Sequence, residues 1–75
     1  MKLSELQIGQ PAIVTGFEKD ELAIKLMEMG LIPGEKIFIE KFAPLGDPIS
    51  ISVAGYKLSL RIDEAANVNV ESISN

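Results

Sequence analysis

The stretch "ISISVAGYKLSLRI", residues 49–62, alternates apolar and polar side chains twice over. Ile49, Ile51 and Val53 alternate with Ser50 and Ser52, and Tyr56, Leu58, Leu60 and Ile62 alternate with Lys57, Ser59 and Arg61. Successive side chains of a strand point to opposite faces, so each half predicts a half-buried β-strand with its apolar set inward. Between the halves, "VAGY" suits a tight hairpin with Gly55 at positive φ, either a two-residue turn or a type I turn with a glycine bulge. Two strands joined this closely make the chain mostly β.

Turn signals recur on both sides of this hairpin and imply further short strands around a single helix. At the N-terminus "LSEL" predicts one helical turn, and "AIVTGF" a first strand in which Gly16 marks a bulge or tight bend. From Asp20 the pattern becomes helical: Asp20 is the expected cap and Glu21 sits at the positive end of the dipole. Leu22, Ala23, Leu26, Met27 and Met29 share one broad face, while Glu21, Lys25 and Glu28 form the wet face with Ile24 beside it.

The helix ends in "LMEMGLIPGEKI", residues 26–37, where two methionines flank a glutamate. Residues two apart on a helix point about 200° apart, so Met27 and Met29 cannot grip one ion and read as core fillers. Gly30 fits the left-handed position that stops a helix, with Leu31 packing back on Leu26. Pro33 and Gly34 have the order of a type II turn, which leads into the strand "EKIFIEKF". Downstream of the hairpin, "DEAAN" predicts one capped helical turn and "VNVESI" a last strand with Val68 and Val70 inward. The expectation is one domain over residues 1–75, a small five-stranded barrel whose closure removes exposed edges.

Composition limits what such a domain does. A chain of 75 residues buries only about 60% of the surface it exposes unfolded, which leaves little room for a large preorganised cleft. Seven Lys and Arg stand against eleven Asp and Glu, a formal charge of −4, and nucleic acid repels a surface with that balance. The chain has no Cys and no His, so it offers no thiolate or imidazole ligand, disulfide or catalytic base of those types. No apolar run approaches the roughly 20 residues of a membrane span or forms a signal peptide. These features lead to the expectation of a cytoplasmic protein, not an enzyme, without cofactor, metal site, nucleic-acid partner or membrane insertion, and monomeric by default.

Carboxylates are the remaining candidate ligands: Glu18, Asp20 and Glu21 in one group, Asp63 and Glu64 in another, and Asp47 by itself. Acids at helix starts act mostly as caps and solvated charges, so no metal site is assigned. The segment "FAPLGDPIS" is more distinctive. Pro44 and Pro48 stiffen it, Gly46 permits a sharp reversal, and Asp47 is held extended by the proline that follows. It reads as a rigid connection in which Asp47 accepts backbone hydrogen bonds, or as a preformed recognition loop.

The runs "LMEMGLIPGEKI", "APLGDPISI", "LSLR" and "EAANVNV" resemble, in wording and order, the family of ferrous iron transport protein A, FeoA. The resemblance spans roughly Leu3 to Glu71, and its most specific elements are Met29, Gly30, Leu31, Pro33 and Gly34 together with Pro44 to Pro48. It implies an SH3-like small barrel with a helix inserted after the first strand. It also implies a cytoplasmic accessory protein of bacterial ferrous iron uptake, acting on the large membrane transporter that carries a cytoplasmic G-protein domain. The docking surface expected on that basis joins Ile24, Lys25 and Glu28 to Leu45, Gly46 and Asp47; Lys25 stands where the family often has Arg. The same small barrel occurs as the C-terminal domain of iron- and manganese-dependent repressors. With no helix-turn-helix segment read in these residues, that alternative is a regulatory module acting through another protein partner. A polyproline-binding SH3 module fits less well, since one Tyr, three Phe and no Trp make a poor aromatic groove.

Overall fold

A computed structural model describes residues 1–73. A 3-10 turn at Leu3–Glu5 precedes strand β1 (Ala12–Phe17), helix α1 (Asp20–Glu28), strands β2 (Lys36–Phe42), β3 (Ile49–Val53) and β4 (Tyr56–Leu60), the short helix α2 (Ile62–Ala65) and strand β5 (Val68–Ser72). The strands form one antiparallel sheet in the order β4-β3-β2-β1-β5. Strand β2 is the hinge of the sheet: it pairs with β1 through Lys36 and Ile37 and with β3 from Ile37 to Phe42. The register shifts between Ile39 and Lys41 in β2 and between Val14 and Gly16 in β1, and such irregularities bend strands around a small core.

Inward positions follow the period-two pattern. Ile37, Ile39, Ile49, Ile51, Val53 and Val68 are all buried in a single cluster, and apolar burial of this kind is the main stabilising term. The barrel is not closed by a ladder, since β4 and β5 are not neighbours in the sheet. The expected removal of both edges is therefore corrected: among the described residues the sheet ends at β4 and β5. The chain wraps through bridges instead, with Lys2 pairing with Asn69 and Ile8 with Ile39.

The helix stop is the one anticipated. Gly30 has φ +109°, its N–H donates to Met27 O at 3.0 Å, and the Leu31 N–H donates to Leu26 O at 3.1 Å. These are the two bonds of a Schellman ending, with the buried Leu26 and Leu31 at its apolar contact positions. The Glu35 N–H then donates to Ile32 O at 3.0 Å, closing the turn through Pro33 and Gly34. Gly34 returns the chain to β1 by donating to Val14 O at 2.8 Å.

Four expectations need correction. Lys19, not Asp20, is the N-cap of α1, and no local side chain caps it. The Lys19 N–H is instead accepted by Asn67 Oδ1 at 2.9 Å, a tertiary substitute for the reach-back bond of a local capping box. Met29 packs half-buried on the core, whereas Met27 is half-buried outside that cluster, because a nine-residue helix lying on a small barrel has only a narrow stripe to bury. Ile62 leaves the strand alternation to begin α2, since Glu64 and Asp47 accept the Arg61 and Ile62 N–H groups. Tyr56 is 63% exposed because it begins the edge strand β4, beyond the covered part of the sheet.

The hairpin resolves to a two-residue turn, with Val53 paired to Tyr56 and both Ala54 (φ 49°) and Gly55 (φ 86°) left-handed. That is a type I′ turn, in which alanine is a poor first residue. Ala54→Asn is expected to raise stability by about 0.5–1 kcal/mol, seen as a melting temperature higher by a few degrees. An unchanged or lower melting temperature would show that Ala54 is not strained.

Candidate functional site

The short helix α2 connects the two parts of the anticipated surface. From α1, the Lys25 ammonium approaches Glu64 Oε2 at 3.0 Å. From the 44–48 loop, Asp47 Oδ1 accepts the Ile62 N–H at 3.0 Å. The other Glu64 oxygen, Oε1, accepts the Arg61 N–H at 3.0 Å, so one carboxylate both caps α2 and anchors α1. Ile62 and Glu64 lie two apart and point in different directions around α2. The α1 face and the loop are thus linked through α2 as neighbouring patches, each with its own anchor.

What each patch presents differs in kind. Ile24 is 66% exposed and Leu45 is 97% exposed, large apolar side chains with no visible structural purpose. Gly46 closes the loop by donating to Ala43 O at 2.7 Å, and Ala43 donates to Pro48 O at 3.0 Å. Leu45 therefore stands at the tip of a hydrogen-bonded loop, ordered before any partner arrives. Asp47 and Pro48 line a shallow hollow with Arg61 and Asp63. Asp47 is thereby shared between holding α2 and lining this surface. Glu28 is exposed on α1 and has no ion-pair partner among the described residues.

Charge on this side is partly spent internally. The Glu64 carboxyl is held below the ordinary carboxylate range, first by the Arg61 N–H and then by Lys25. A depressed folded-state pKa means that the stabilisation is present above the unfolded value and is lost as pH falls through the lower, folded one. Glu64→Gln is therefore expected to lower stability at about pH 6 and to narrow the gap from the parent at about pH 3. Urea midpoints at the two pH values measure this; an equal loss at both would remove Glu64 from acid unfolding.

Elsewhere the acids are engaged separately. Glu18 accepts from Asn69 Nδ2 at 2.9 Å and meets Lys2 at 3.6 Å, contacts that hold its carboxyl below the usual range. Among the described residues no group of three or more His, Cys, Asp or Glu is placed to hold a metal. Also among them, no helix is long and apolar enough to cross a membrane.

Two residues important to this region were not singled out from sequence. For Glu64 the sequence supplies the reading of a helix-start acid, a cap or solvated charge, and it does cap α2; its pairing with Lys25, 39 positions earlier, is the part that the sequence does not show. Asn67, 4% exposed, was read as the end of a helical turn, although an amide between Ala66 and Val68 was the available signal. Its Nδ2 has no hydrogen-bond partner among the described residues.

The family model described as the FeoA domain matches residues 1–72. The chain belongs to the FeoA family. A Fe(2+) transport protein A/Fe(2+) transporter FeoB fusion protein of Porphyromonas gingivalis is 37% identical over 75 residues, covering 99% of this FeoA chain and 9% of the fusion. The chain thus spans less than a tenth of that relative's length. An FeoA-like protein from Clostridium acetobutylicum superposes with TM-score 0.90 at 38% identity, covering 100% of this chain and 88% of the other. IdeR of T. acidophilum superposes with TM-score 0.81 at 25% identity over 97% of this chain and 34% of its own. The SH3-like fold expected for an FeoA domain is the one observed.

Proposed function

We propose that this FeoA domain is a cytoplasmic binding module of ferrous iron uptake that docks on the cytoplasmic part of a FeoB-type membrane transporter. The observation that carries this reading is the P. gingivalis relative, in which the matching segment and FeoB share one polypeptide. Covalent fusion of two modules raises their effective concentration and is useful when they act on each other. Docking uses Ile24, Lys25 and Glu28 of α1 together with Leu45, Gly46 and Asp47. It alters the transporter by binding one of its conformations more tightly than another. No step of chemistry is assigned to the chain.

An NMR titration of labelled protein with the transporter's soluble G-protein domain, in each nucleotide state, tests this. Shifts at Ile24, Glu28 and Leu45 are expected, stronger in one state. Ile24→Asp should weaken binding by about tenfold, the loss of about 1.4 kcal/mol expected when a charge replaces an apolar anchor at an interface centre. Lys25→Glu is a poorer probe, since it also places a second acid against Glu64. Unchanged affinity of the Ile24 variant would remove this face from docking.

The likeness to IdeR favours a second reading, a regulatory SH3-like module acting through a different protein partner. It is distinguished by silence both with the G-protein domain in either nucleotide state and with the full-length transporter in detergent.

A further inference from the structure

Charge is distributed unevenly over the chain. Helices α1 and α2, counted with their N-caps Lys19 and Arg61, and the 44–48 loop hold six Asp and Glu against three Lys and Arg. The remainder holds five acids and four bases, so three of the four net negative charges fall on these three segments. The fold gathers them on one side: α2 is tied to α1 through Glu64 and Lys25, and to the loop through the Ile62 N–H and Asp47. Asp63 lies between α1 and the loop, since it lines one hollow with Asp47 and another with Lys19 and Leu22 at the start of α1.

The acids on this side are also the uncommitted ones. Asp20, Glu21, Glu28, Asp47 and Asp63 are all exposed, and none has an ion-pair partner among the described residues. Lys25, the one base within α1, is already held by Glu64. Residues three and four apart are neighbours on a helix surface, so the exposed Ile24 stands beside Asp20 and Glu21 on one side and Glu28 on the other. Helix stability does not account for this ring. Glu28 is the last residue of α1, at the negative end of the helix dipole, where a carboxylate is unfavourable.

We propose that the surface which docks on α1 and the 44–48 loop is a basic protein surface, with Lys or Arg side chains set around an apolar socket for Ile24 and a second apolar contact for Leu45. The inference rests on the docking reading above and adds the chemistry of what that side meets. An apolar centre within a rim of one charge is the arrangement by which an interface steers its partner in and rejects others. The sign of the rim decides the class of partner. Anionic lipid and nucleic acid are both repelled by it, whereas a basic surface gains contacts with carboxylates that the fold itself leaves unpaired.

Two variants of opposite charge at one position test it. Ile24→Asp and Ile24→Lys both remove the apolar anchor but add opposite signs between Glu21 and Glu28, and the aliphatic stem of lysine works against the expected order. Titrated with the G-protein domain or with the full-length transporter in detergent, at about 50 mM salt, Ile24→Lys should bind about two- to thirtyfold more weakly than Ile24→Asp. At about 500 mM salt the two should converge. Equal affinities at low salt, or the reverse order, would overturn the proposal and leave docking through Ile24 standing. An amphipathic peptide of lysine and leucine is a probe that does not need the transporter. Its amide shifts should gather at Glu21, Ile24, Glu28 and Leu45 and fade with salt; their absence, or their spread over Glu5, Glu35 and Glu71, would also overturn the proposal. Peptide shifts at this face with no response to any form of the transporter would support a basic partner and fault the transporter reading alone.

Discussion

Leu31→Ala is expected to lower stability by about 2–5 kcal/mol, the range for emptying a fully buried leucine site. A domain of this length has roughly 4–11 kcal/mol in all, so this one change removes a large share of it. The reason lies in the position of Leu31 as well as its burial. It is fully buried, and its N–H closes the end of α1 on Leu26 O, so the side chain pins the helix to the barrel at the point where the chain reverses. A cavity there faces backbone that is held by Gly34 and Glu35 against β1, and such backbone cannot collapse freely. Urea unfolding of Leu31→Ala and of the volume-conserving Leu31→Met, which should lose less than about 1.5 kcal/mol, reads the difference. Equal midpoints for the two variants would show that Leu31 is not packed as described.

Gly30→Val should cost about 1–3 kcal/mol by a different route. A side chain at Gly30 meets no hard obstacle: an added Cβ would lie 3.8 Å from Tyr56 Cε2 and 4.0 Å from Val53 Cγ1, ordinary contact distances. The cost is conformational, since φ +109° lies in a region that β-branched residues avoid. The melting temperature should fall by about 4–8 °C for each kcal/mol lost. Gly30→Ala should fall by less, and a valine variant as stable as the parent would mean that the helix ends in another conformation.

These two predictions concern a segment that was legible before any coordinates. Met29, Gly30, Leu31, Pro33 and Gly34 specify a helix stop and a corner through local chemistry, and local chemistry is readable from neighbours in the chain. The alternation over 49–60 was readable for the same reason. The start of α1 was not, because its N-cap bond comes from Asn67, 48 residues away. Ile62 was misplaced in a strand because periodicity continues through Arg61, while the acceptors that start α2 are Glu64 and the distant Asp47.

The surface follows the same division. Ile24 beside the wet face of a helix was identifiable as an exposed apolar residue from pattern, whereas Leu45 entered only with the docking surface that the family resemblance implies, and its exposure came from the fold. The partnership of Lys25 with Glu64, and of Asp47 with Ile62, required the fold to bring α2 between them. The sequence by itself determined the β class, the hairpin, the helix ending and the family, since each rests on residue order within a few positions. Only the tertiary structure decided that the sheet keeps two unlike edges, which acids are engaged by backbone or lysine, and that α2 joins the α1 face to the 44–48 loop. Those outcomes depend on contacts between residues tens of positions apart, whose pairing is set by how the whole core packs.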